Sequence, residues 1–483
     1  MTQVVDDGHI QRMAEEYFQY VTFSHVWAGK EPSFQDVNSV NSIWNLDSSP
    51  LNEKLKGFCR VVRKDGYRWA WSDTCCIDKM ISKVLNQSLT MMYKWYEASA
   101  ATFVLLASIE SPSAPGGLTD SVWMTRVWTA QELLAPKVIR FYGRDWKPYL
   151  GDTRSNHKES PQIMQELADT ICISREIITT FHPDDLSTRE KLQLASTRKA
   201  TLEEDIAYSL IGIFKSDIRA HYGEGYAALG HLLEEIVSRS GEVTVLNWTG
   251  QSSLYNSCLP ATLAVYSRPP HVPTAINDAE MDARVATLRN SLPEAYVMSI
   301  YDHATRLPPA RSANRRLYLP CVIFSVKKLR LQDAMSGQGN HYCARVSGIG
   351  DVVFQASDHL SLKEPRRLIF VHPWIRDLRD PLDRSAWAST EDENHEDEND
   401  LEPEAGSTST LSSQAVIVAA IDDYTLALRL VVRLQQPFHA LLLQQQLGGE
   451  FKRIATEHEI IVPGLDCRAN FARYIRAEVV EVL

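Results

Sequence analysis

The stretch Ser-Val-Trp-Met-Thr-Arg-Val-Trp-Thr-Ala-Gln-Glu-Leu-Leu-Ala-Pro, residues 121–136, carries the pattern around which the rest of the chain is organised. Apolar residues recur in it at the spacing of one helix face, which predicts a single helix with one buried stripe formed by Trp123, Val127, Ala130 and Leu134. Pro136 ends the run, because proline cannot continue a helix.

Two side chains of this predicted helix point away from the buried stripe. Trp128 and Glu132 are four residues apart, so they are neighbours on the helix surface. One interpretation is a solvated carboxylate beside a tryptophan that some other element buries. The other interpretation is a ligand site. The pattern alone leaves both open.

Outward from this stretch, short β-rich runs alternate with helical patterns. The predicted strands are Tyr20–Ser24, Arg68–Ser72, Thr102–Ala107 and Val138–Tyr142. Four alternations of strand and helix predict an α/β domain over residues 1–150, with a parallel sheet and helices on both of its faces.

Polar residues follow the predicted strands. Ser24, His25 and Trp27 come at the end of the first strand, and Asp73 follows the second. Parallel sheets bind ligands outside the carboxyl ends of their strands, so these residues predict a site at that edge. Ser24 and His25 are adjacent, and adjacent strand residues point to opposite faces, which argues against a nucleophile and base pair.

Residues 151–241 are predicted to form a helical extension that packs on the first domain. Thr201 and Glu204 have the spacing of a capping box, with Thr201 as the N-cap. Arg198, just before them, has two interpretations, a structural ion pair or a contact with an anionic ligand.

Residues 242–483 change to short β-rich runs and predict a β-rich C-terminal domain. The predicted strands are Leu317–Val326, Val352–Gln355, Leu368–Val371, Ala415–Ile421, Leu426–Leu434 and Ile460–Val462. Between them, the acidic and Ser/Thr-rich segment near 390–413 predicts a solvated, disordered loop.

Composition narrows the function classes. The chain has 483 residues and a net charge of -11, which argues against nucleic acid or an anionic membrane as a partner. No apolar run approaches the roughly 18 residues of a membrane span, and residues 1–16 lack the pattern of a secretory signal, so a cytoplasmic protein is predicted. No phosphate-loop, nucleophile-elbow or zinc-helix motif occurs, and no metal site is predicted.

Four ordered motifs carry a resemblance to a known family. They are Tyr20-Val-Thr-Phe-Ser-His-Val-Trp27, Trp71-Ser-Asp-Thr-Cys-Cys-Ile-Asp78, Arg126-Val-Trp-Thr-Ala-Gln-Glu-Leu-Leu-Ala-Pro136, and Ser196-Thr-Arg-Lys-Ala-Thr201 with Glu204-Asp-Ile-Ala-Tyr-Ser-Leu-Ile-Gly212 and Tyr222-Gly-Glu-Gly225. Together they resemble the fungal heterokaryon-incompatibility (HET) domain over roughly residues 17–240. Ser72 and Val26 depart from the usual pattern, whereas Asp73 keeps it.

The HET domain is in turn similar to Toll/interleukin-receptor (TIR) domains, which have a flavodoxin-like sheet. Several TIR domains hydrolyse NAD with the glutamate of a Trp-x-x-x-Glu-Leu motif, and residues 128–133 match that motif. The resemblance implies that Glu132 is catalytic and that NAD is a substrate, cleaved to nicotinamide and ADP-ribose without a cofactor. The substrate would then contact residues of the strand edge and the central stretch, namely Ser24, His25, Trp27, Asp73, Arg126 and Trp128.

The cellular role that the resemblance implies is recognition of non-self followed by cell death. The alternative is a non-enzymatic signalling module, in which the TIR-like domain self-associates and the β-rich domain senses a trigger or partner protein. Whether Glu132 lies in an open pocket or against another element discriminates between these two functions. In a helix that starts at Ser121, Glu132 would lie about 16 Å from the strand edge, whereas a start nearer Thr125 would bring it close.

Overall fold

The computed structural model describes residues 13–269, 276–332, 340–374, 422–462 and 476–483. These residues fall into two compact units. One unit holds the described residues up to 269, together with Arg311–Leu317 and Leu483. The other holds the described residues of 276–310 and 318–482. In the described part of the chain, no helix is both long enough and apolar enough to cross a bilayer.

Four parallel strands form the sheet of the first unit, in the spatial order β2-β1-β3-β4. They are β1 (Tyr20–His25), β2 (Trp69–Ser72), β3 (Ala101–Leu106) and β4 (Ile139–Gly143). Each overlaps a predicted strand, so the predicted alternation is confirmed. Every residue of β3 is buried, which explains its continuous apolar sequence.

Ten α-helices accompany this sheet in the described part of the unit. They are α1 (Phe34–Asn38), α2 (Pro50–Lys64), α3 (Ser82–Glu97), α4 (Thr129–Leu134), α5 (Pro161–Ile171), α6 (Arg175–Thr179), α7 (Thr188–Ser196), α8 (Asp205–Tyr208), α9 (Ile211–Phe214) and α10 (Ala227–Ser240). A helical turn at residues 13–17 precedes them.

Alternate residues of β3 serve the two faces of the sheet. Phe103 and Leu105 belong to the core shared with α2. Val104 and Leu106 belong to a second core, shared with α4 and α5. The sheet therefore has helices on both faces, which confirms the predicted fold class.

The predicted helix over residues 121–136 is wrong as a single element. A 3₁₀ helix covers Val122–Thr125, and α4 begins only at Thr129. Between them the backbone pairs with a distant segment, because the Val127 N–H donates to the Lys199 carbonyl and the Lys199 N–H donates to that of Thr125. The predicted stripe is nevertheless buried, since Trp123, Val127, Ala130 and Leu134 are at most 2% exposed.

The predicted capping box at Thr201 is also wrong. Helix α8 begins at Asp205, with Glu204 rather than Thr201 as its N-cap residue. The Glu204 carboxylate instead accepts hydrogen bonds from the backbone N–H groups of Gly223 and Gly225, at 2.8 and 3.0 Å. The carboxylate thus stabilises the Tyr-Gly-Glu-Gly turn, a contact between residues about 20 positions apart that local spacing cannot reveal.

The strands from residue 311 onward are β5 (Arg311–Ala313), which belongs to the first unit, β6 (Arg316–Leu331), β7 (Asn340–Val346), β8 (Gly350–Ala356), β9 (Leu368–Pro373), β10 (Phe438–Gln445), β11 (Phe451–Arg453), β12 (Ile460–Val462) and β13 (Arg476–Val482). The second unit is built on a β-sheet with the path β12-β10-β11-β13-β6-β7-β8, in which β9 pairs with β10 and β6. Strand β10 pairs antiparallel with β9, β11 and β12, strand β6 pairs antiparallel with β7 and β9, and β7 does so with β8, whereas β11 and β13 are parallel. The β-rich prediction is confirmed.

Three helices pack in this second unit: α11 (Asp278–Ser291), α12 (Glu294–Thr305) and α13 (Asp423–Leu434). The predicted strand over Leu426–Leu434 is wrong, because these residues belong to α13. Its buried residues include Leu426, Leu430 and Leu434, which repeat every four residues as a helix face does. The predicted strand Ala415–Ile421 and the acidic segment near 390–413 lie outside the described residues.

Candidate active site

A buried hydrogen-bonded cluster joins the end of β1 to α4. The Ser24 hydroxyl donates to Glu132 Oε2 and accepts a hydrogen bond from the indole N–H of Trp123 at 2.7 Å. Ser24 is fully buried and Glu132 is 6% exposed. We call Ser24, Glu132, Trp123 and Tyr96 the Glu132 cluster.

Local structure explains how these side chains meet. Ser24 is the penultimate residue of β1, and its neighbours Phe23 and His25 point to the opposite face. Because α4 begins at Thr129, Glu132 lies in its first turn, close to the strand edge. A helix that started at Ser121 would have placed Glu132 far from the strand edge, whereas the observed start at Thr129 places it close to that edge.

Tyr96 comes from the last turn of α3 and completes the cluster. Its hydroxyl donates to the Phe23 carbonyl at 3.2 Å and also hydrogen-bonds Glu132. Tyr96 is fully buried. Tyr96 lies on the buried face of α3 with Leu89 and Met92, and local spacing gives no reason to expect a polar role for it, because its partners come from β1 and α4.

The environment of Glu132 favours its protonated form. Burial, and next the charge of Asp73, raise its pKa to about 8, although Ser24, Arg198 and Tyr96 favour the ionised carboxylate. The interpretation of Glu132 as a solvated carboxylate is wrong, because its side chain is buried and hydrogen-bonds Ser24 and Tyr96.

Arg198 lies beside this cluster and is itself buried. Its guanidinium donates to the Arg126 carbonyl at 2.9 Å and to the Thr129 hydroxyl at 2.8 Å. Burial lowers the pKa of Arg198 to about 10, while the carboxylate of Glu132 favours its charged form. Arg198 therefore ties the helical extension to α4 and supplies positive charge near Glu132.

A second, more open cluster lies where β1 and β2 end. The indole N–H of Trp27 donates to Asp73 Oδ2 at 3.1 Å, and the Lys79 ammonium lies 3.7 Å from the centre of the Trp27 ring. Trp27 is 48% exposed. Desolvation raises the pKa of Asp73 to about 6, opposed mainly by the positive charge of Lys79. We call these three residues the Asp73 cluster.

His25 lies on the opposite face of β1 from Ser24. Its ring stacks on Phe23 with the centroids 4.1 Å apart, and its Nε2 is 3.9 Å from Glu31 Oε2. Burial, aided by the charges of Lys54 and Lys79, holds the pKa of His25 well below its usual range. Because the imidazole points away from Ser24, the two side chains do not form a nucleophile and base pair, as the strand geometry predicted.

The remaining two predicted site residues form their polar contacts with the helical extension. Arg126 Nη1 donates to the Thr201 hydroxyl at 2.9 Å. The Trp128 side chain hydrogen-bonds Asp205 and thereby favours the ionised form of that carboxyl. The structure thus brings Ser24 to Glu132 and Trp27 to Asp73, while Arg126 and Trp128 anchor residues 201–205.

Comparisons with known proteins fit this architecture. The family described as heterokaryon incompatibility protein (HET) matches residues 20–116, which include β1, β2, α3 and β3. The chain is also similar to Vegetative incompatibility protein HET-E-1 of Podospora anserina, with 31% identity over 234 residues. That similarity covers 46% of this chain but only 16% of the relative. No solved structure matches the chain. Residues 20–116 therefore match the HET family, and β1, which carries Ser24, lies at the start of the matched region.

Proposed function

We propose that the chain acts in heterokaryon incompatibility and that its HET domain hydrolyses NAD to nicotinamide and ADP-ribose. The observation that carries the enzymatic part is the position of Glu132, a carboxyl with a shifted pKa at the carboxyl edge of a parallel sheet. The vegetative-incompatibility name of the relative in Podospora anserina supports the cellular role.

The topology supports this choice of site. The strand order β2-β1-β3-β4 is that of flavodoxin-like sheets, in which ligands bind where successive crossovers go to opposite faces, here between β1 and β3. Ser24 lies at the end of β1, and Glu132 lies beside it. The same order supports the proposed similarity to TIR domains, several of which hydrolyse NAD.

The chemistry requires little from the protein besides a negative charge. Cleavage of the nicotinamide–ribose bond builds positive charge on the ribose, and a carboxylate beside it stabilises that charge. Nicotinamide leaves as a neutral group, so no general acid is needed. The carboxylate would come from Glu132, and the exposed Trp27 ring of the Asp73 cluster offers a surface on which a flat ring can stack.

Two features of the structure indicate that the proposed activity requires a conformational change around Glu132. Glu132 is 6% exposed, so a substrate reaches it only when the residues that cover it move. Its pKa of about 8 leaves most of it protonated near neutral pH until such a movement admits water. We propose that self-association of the HET domain after an external trigger, in the cytoplasm, supplies this movement.

The burial of Glu132 also favours a second candidate function. A carboxyl held by Ser24 and Tyr96 under the Trp123 ring would serve equally well as a structural link between β1, α3 and α4. In that case the HET domain is a non-enzymatic assembly module, and the β-rich unit senses the trigger.

The experiment is to incubate the full chain with NAD and to measure nicotinamide release, in solution and after clustering on beads. Glu132→Gln should reduce the rate by about 100-fold or more, because the charge that stabilises the transition state is lost. Glu110→Gln is the matched control, since the Glu110 side chain is 75% exposed and pairs with Arg144.

The outcomes separate the two candidates. Equal rates for the wild type and Glu132→Gln would show that another residue is catalytic. If neither protein releases nicotinamide in either format, while both melt cooperatively, the assembly module becomes the better account.

A further inference from the structure

An open cavity of about 460 Å³ lies beside α5 and α6, in the helical extension. Its lining includes Lys158 and Ser160 from the segment before α5, Met164 of α5, and Arg175 and Thr179 of α6. None of these residues belongs to the Glu132 or Asp73 cluster. The cavity is therefore distinct from the candidate active site.

Lys158 is the unusual residue of this cavity. It is 3% exposed, and its ammonium donates to the Leu134 carbonyl at a long 3.4 Å. Within the described part of the chain, no carboxylate forms an ion pair with it, and burial alone lowers its pKa to about 7. A buried ammonium group without a counter-ion is destabilising unless something else neutralises it.

Lys56 shows how the same domain normally buries a lysine. Lys56 is 5% exposed, and its ammonium donates to the carbonyls of Leu46 and Asp47 as well as to the Glu53 carboxylate. Three acceptors, one of them charged, compensate that ammonium. Lys158 has one acceptor and no charged partner. Its site therefore lacks the carboxylate and the additional carbonyl acceptor that compensate Lys56.

Further groups of the cavity suit an anion. Helix α5 has eleven residues and begins with Ser160 and Pro161, and the Ser160 side chain does not cap it. The N-terminus of α5 lines the cavity through Ser160 and Pro161, and the helix dipole favours negative charge there. The guanidinium of Arg175 adds a second, exposed cation to the lining.

Two carboxylates also line the cavity, but neither compensates Lys158. Both Glu159 and Glu176 are exposed residues. The Glu176 carboxylate is occupied at the start of α6, where its own backbone N–H and the Ser174 hydroxyl lower its pKa. The cavity therefore has one buried positive charge, that of Lys158, whereas both of its negative charges are exposed.

We propose that this cavity binds a phosphate group, either free orthophosphate or the phosphate of a small metabolite, with Lys158 as its buried counter-ion. The guanidinium of Arg175 supplies a second cation, and the N-terminal end of the α5 dipole favours the anion. The Lys158 ammonium also donates to the carbonyl of Leu134, the last residue of α4. Lys158 therefore links the cavity to the helix that carries Glu132.

The test is a calorimetric titration of the full chain with orthophosphate and, separately, with ribose 5-phosphate. Lys158→Met should weaken binding roughly 10- to 100-fold, the value of a charged hydrogen bond. Arg175→Met should weaken it a few-fold, and Lys94→Met, an exposed lysine of α3, should leave it unchanged. Without ligand, Lys158→Met should melt at or above the wild-type temperature, because it removes an uncompensated buried charge.

Tighter binding of ribose 5-phosphate than of orthophosphate would assign the site to a metabolite, and the reverse would assign it to the free ion. The proposal is overturned if the wild type binds neither ligand saturably, or if Lys158→Met binds as tightly as the wild type. Should Lys158→Met fail to fold, Arg175→Met decides, and unchanged affinity in that exposed variant would refute the site. None of these results depends on NAD hydrolysis.

Discussion

The Glu132 cluster and the Asp73 cluster place the same functional group at the same edge of one sheet, yet they differ in their access to solvent. Glu132 is 6% exposed and is held by neutral hydroxyl donors with an arginine nearby. Asp73 is half-buried and bonds to Trp27, which is 48% exposed, with Lys79 over the indole ring.

This difference in solvent access sets the properties of the two carboxyls. Desolvation is the largest influence on both, and it raises the pKa further for Glu132, to about 8, than for Asp73, to about 6. The comparison predicts that substitutions in the Glu132 cluster lower the free energy of unfolding strongly and in a pH-dependent way. It predicts that substitutions in the Asp73 cluster have small effects on stability. Four measurements test it.

The largest expected effect comes from substitution of Trp123, the largest side chain of the Glu132 cluster. Trp123 is 1% exposed, packs edge-on against Phe141 and donates to Ser24. Trp123→Ala should lower the free energy of unfolding by about 3–5 kcal/mol, measured by urea denaturation followed by circular dichroism. Trp27→Ala is the matched control and should cost less than about 1 kcal/mol. Similar losses for both variants would contradict the contrast between the clusters.

The next effect is a dependence of stability on pH. The pKa of Glu132 is raised by folding, so its contribution to stability is complete below the unfolded pKa and is lost as pH rises through about 8. Within that window the wild type should lose up to about 1.4 kcal/mol per pH unit relative to Glu132→Gln. Urea denaturation from pH 5 to pH 9 measures this difference. Parallel curves for the two proteins would show that Glu132 titrates normally.

Ser24→Ala tests the hydrogen bonds of the Glu132 cluster without opening a large cavity. The substitution leaves the Trp123 indole N–H without its acceptor and Glu132 without a donor. The loss of unfolding free energy should be about 1–3 kcal/mol. Thr119→Ala, which removes an exposed hydroxyl that bonds Thr170, is a control with a smaller expected loss. A Ser24→Ala variant as stable as the wild type would mean that the cluster is not held by this hydroxyl.

The smallest effect is expected for Asp73→Asn. The change keeps the shape of a half-buried side chain and removes a carboxyl whose pKa is raised in the folded state, so the variant should be no less stable than the wild type near neutral pH. The charge of Asp73 is the second-largest cause of the raised Glu132 pKa. The loss of stability that accompanies ionisation of Glu132 should therefore end at a lower pH in Asp73→Asn than in the wild type. The same pH series measures that movement. An unmoved transition would mean that the two clusters are electrostatically independent.

Much of the first unit could be predicted from the sequence because its strands are short apolar runs between helical patterns. The sequence placed Ser24 and Asp73 at one edge of the sheet, and in the structure Glu132 meets Ser24 there. The break at Arg126 was not predictable, because it follows from backbone pairing with Lys199, more than 70 residues away.

Helix α13 shows a second reason why prediction failed. Its sequence, Asp423–Leu434, contains a run of branched and unbranched apolar residues that suits a strand or a buried helix equally well. Packing against the β-sheet core decided the outcome, since its buried residues are on a face with helical spacing. A short apolar run does not contain that information.

The sequence by itself determined the alternation of strands and helices around the first sheet, the buried stripe from Trp123 to Leu134, and the motifs that resemble the HET family. These features depend on local spacing and residue type, which the chain carries directly. Only the tertiary structure decided that Glu132 is buried and that Arg126 and Trp128 bond to the helical extension. The reason is that burial and pKa depend on which distant segment covers a side chain, and residues 198–205 cover α4 in a way that no local pattern encodes.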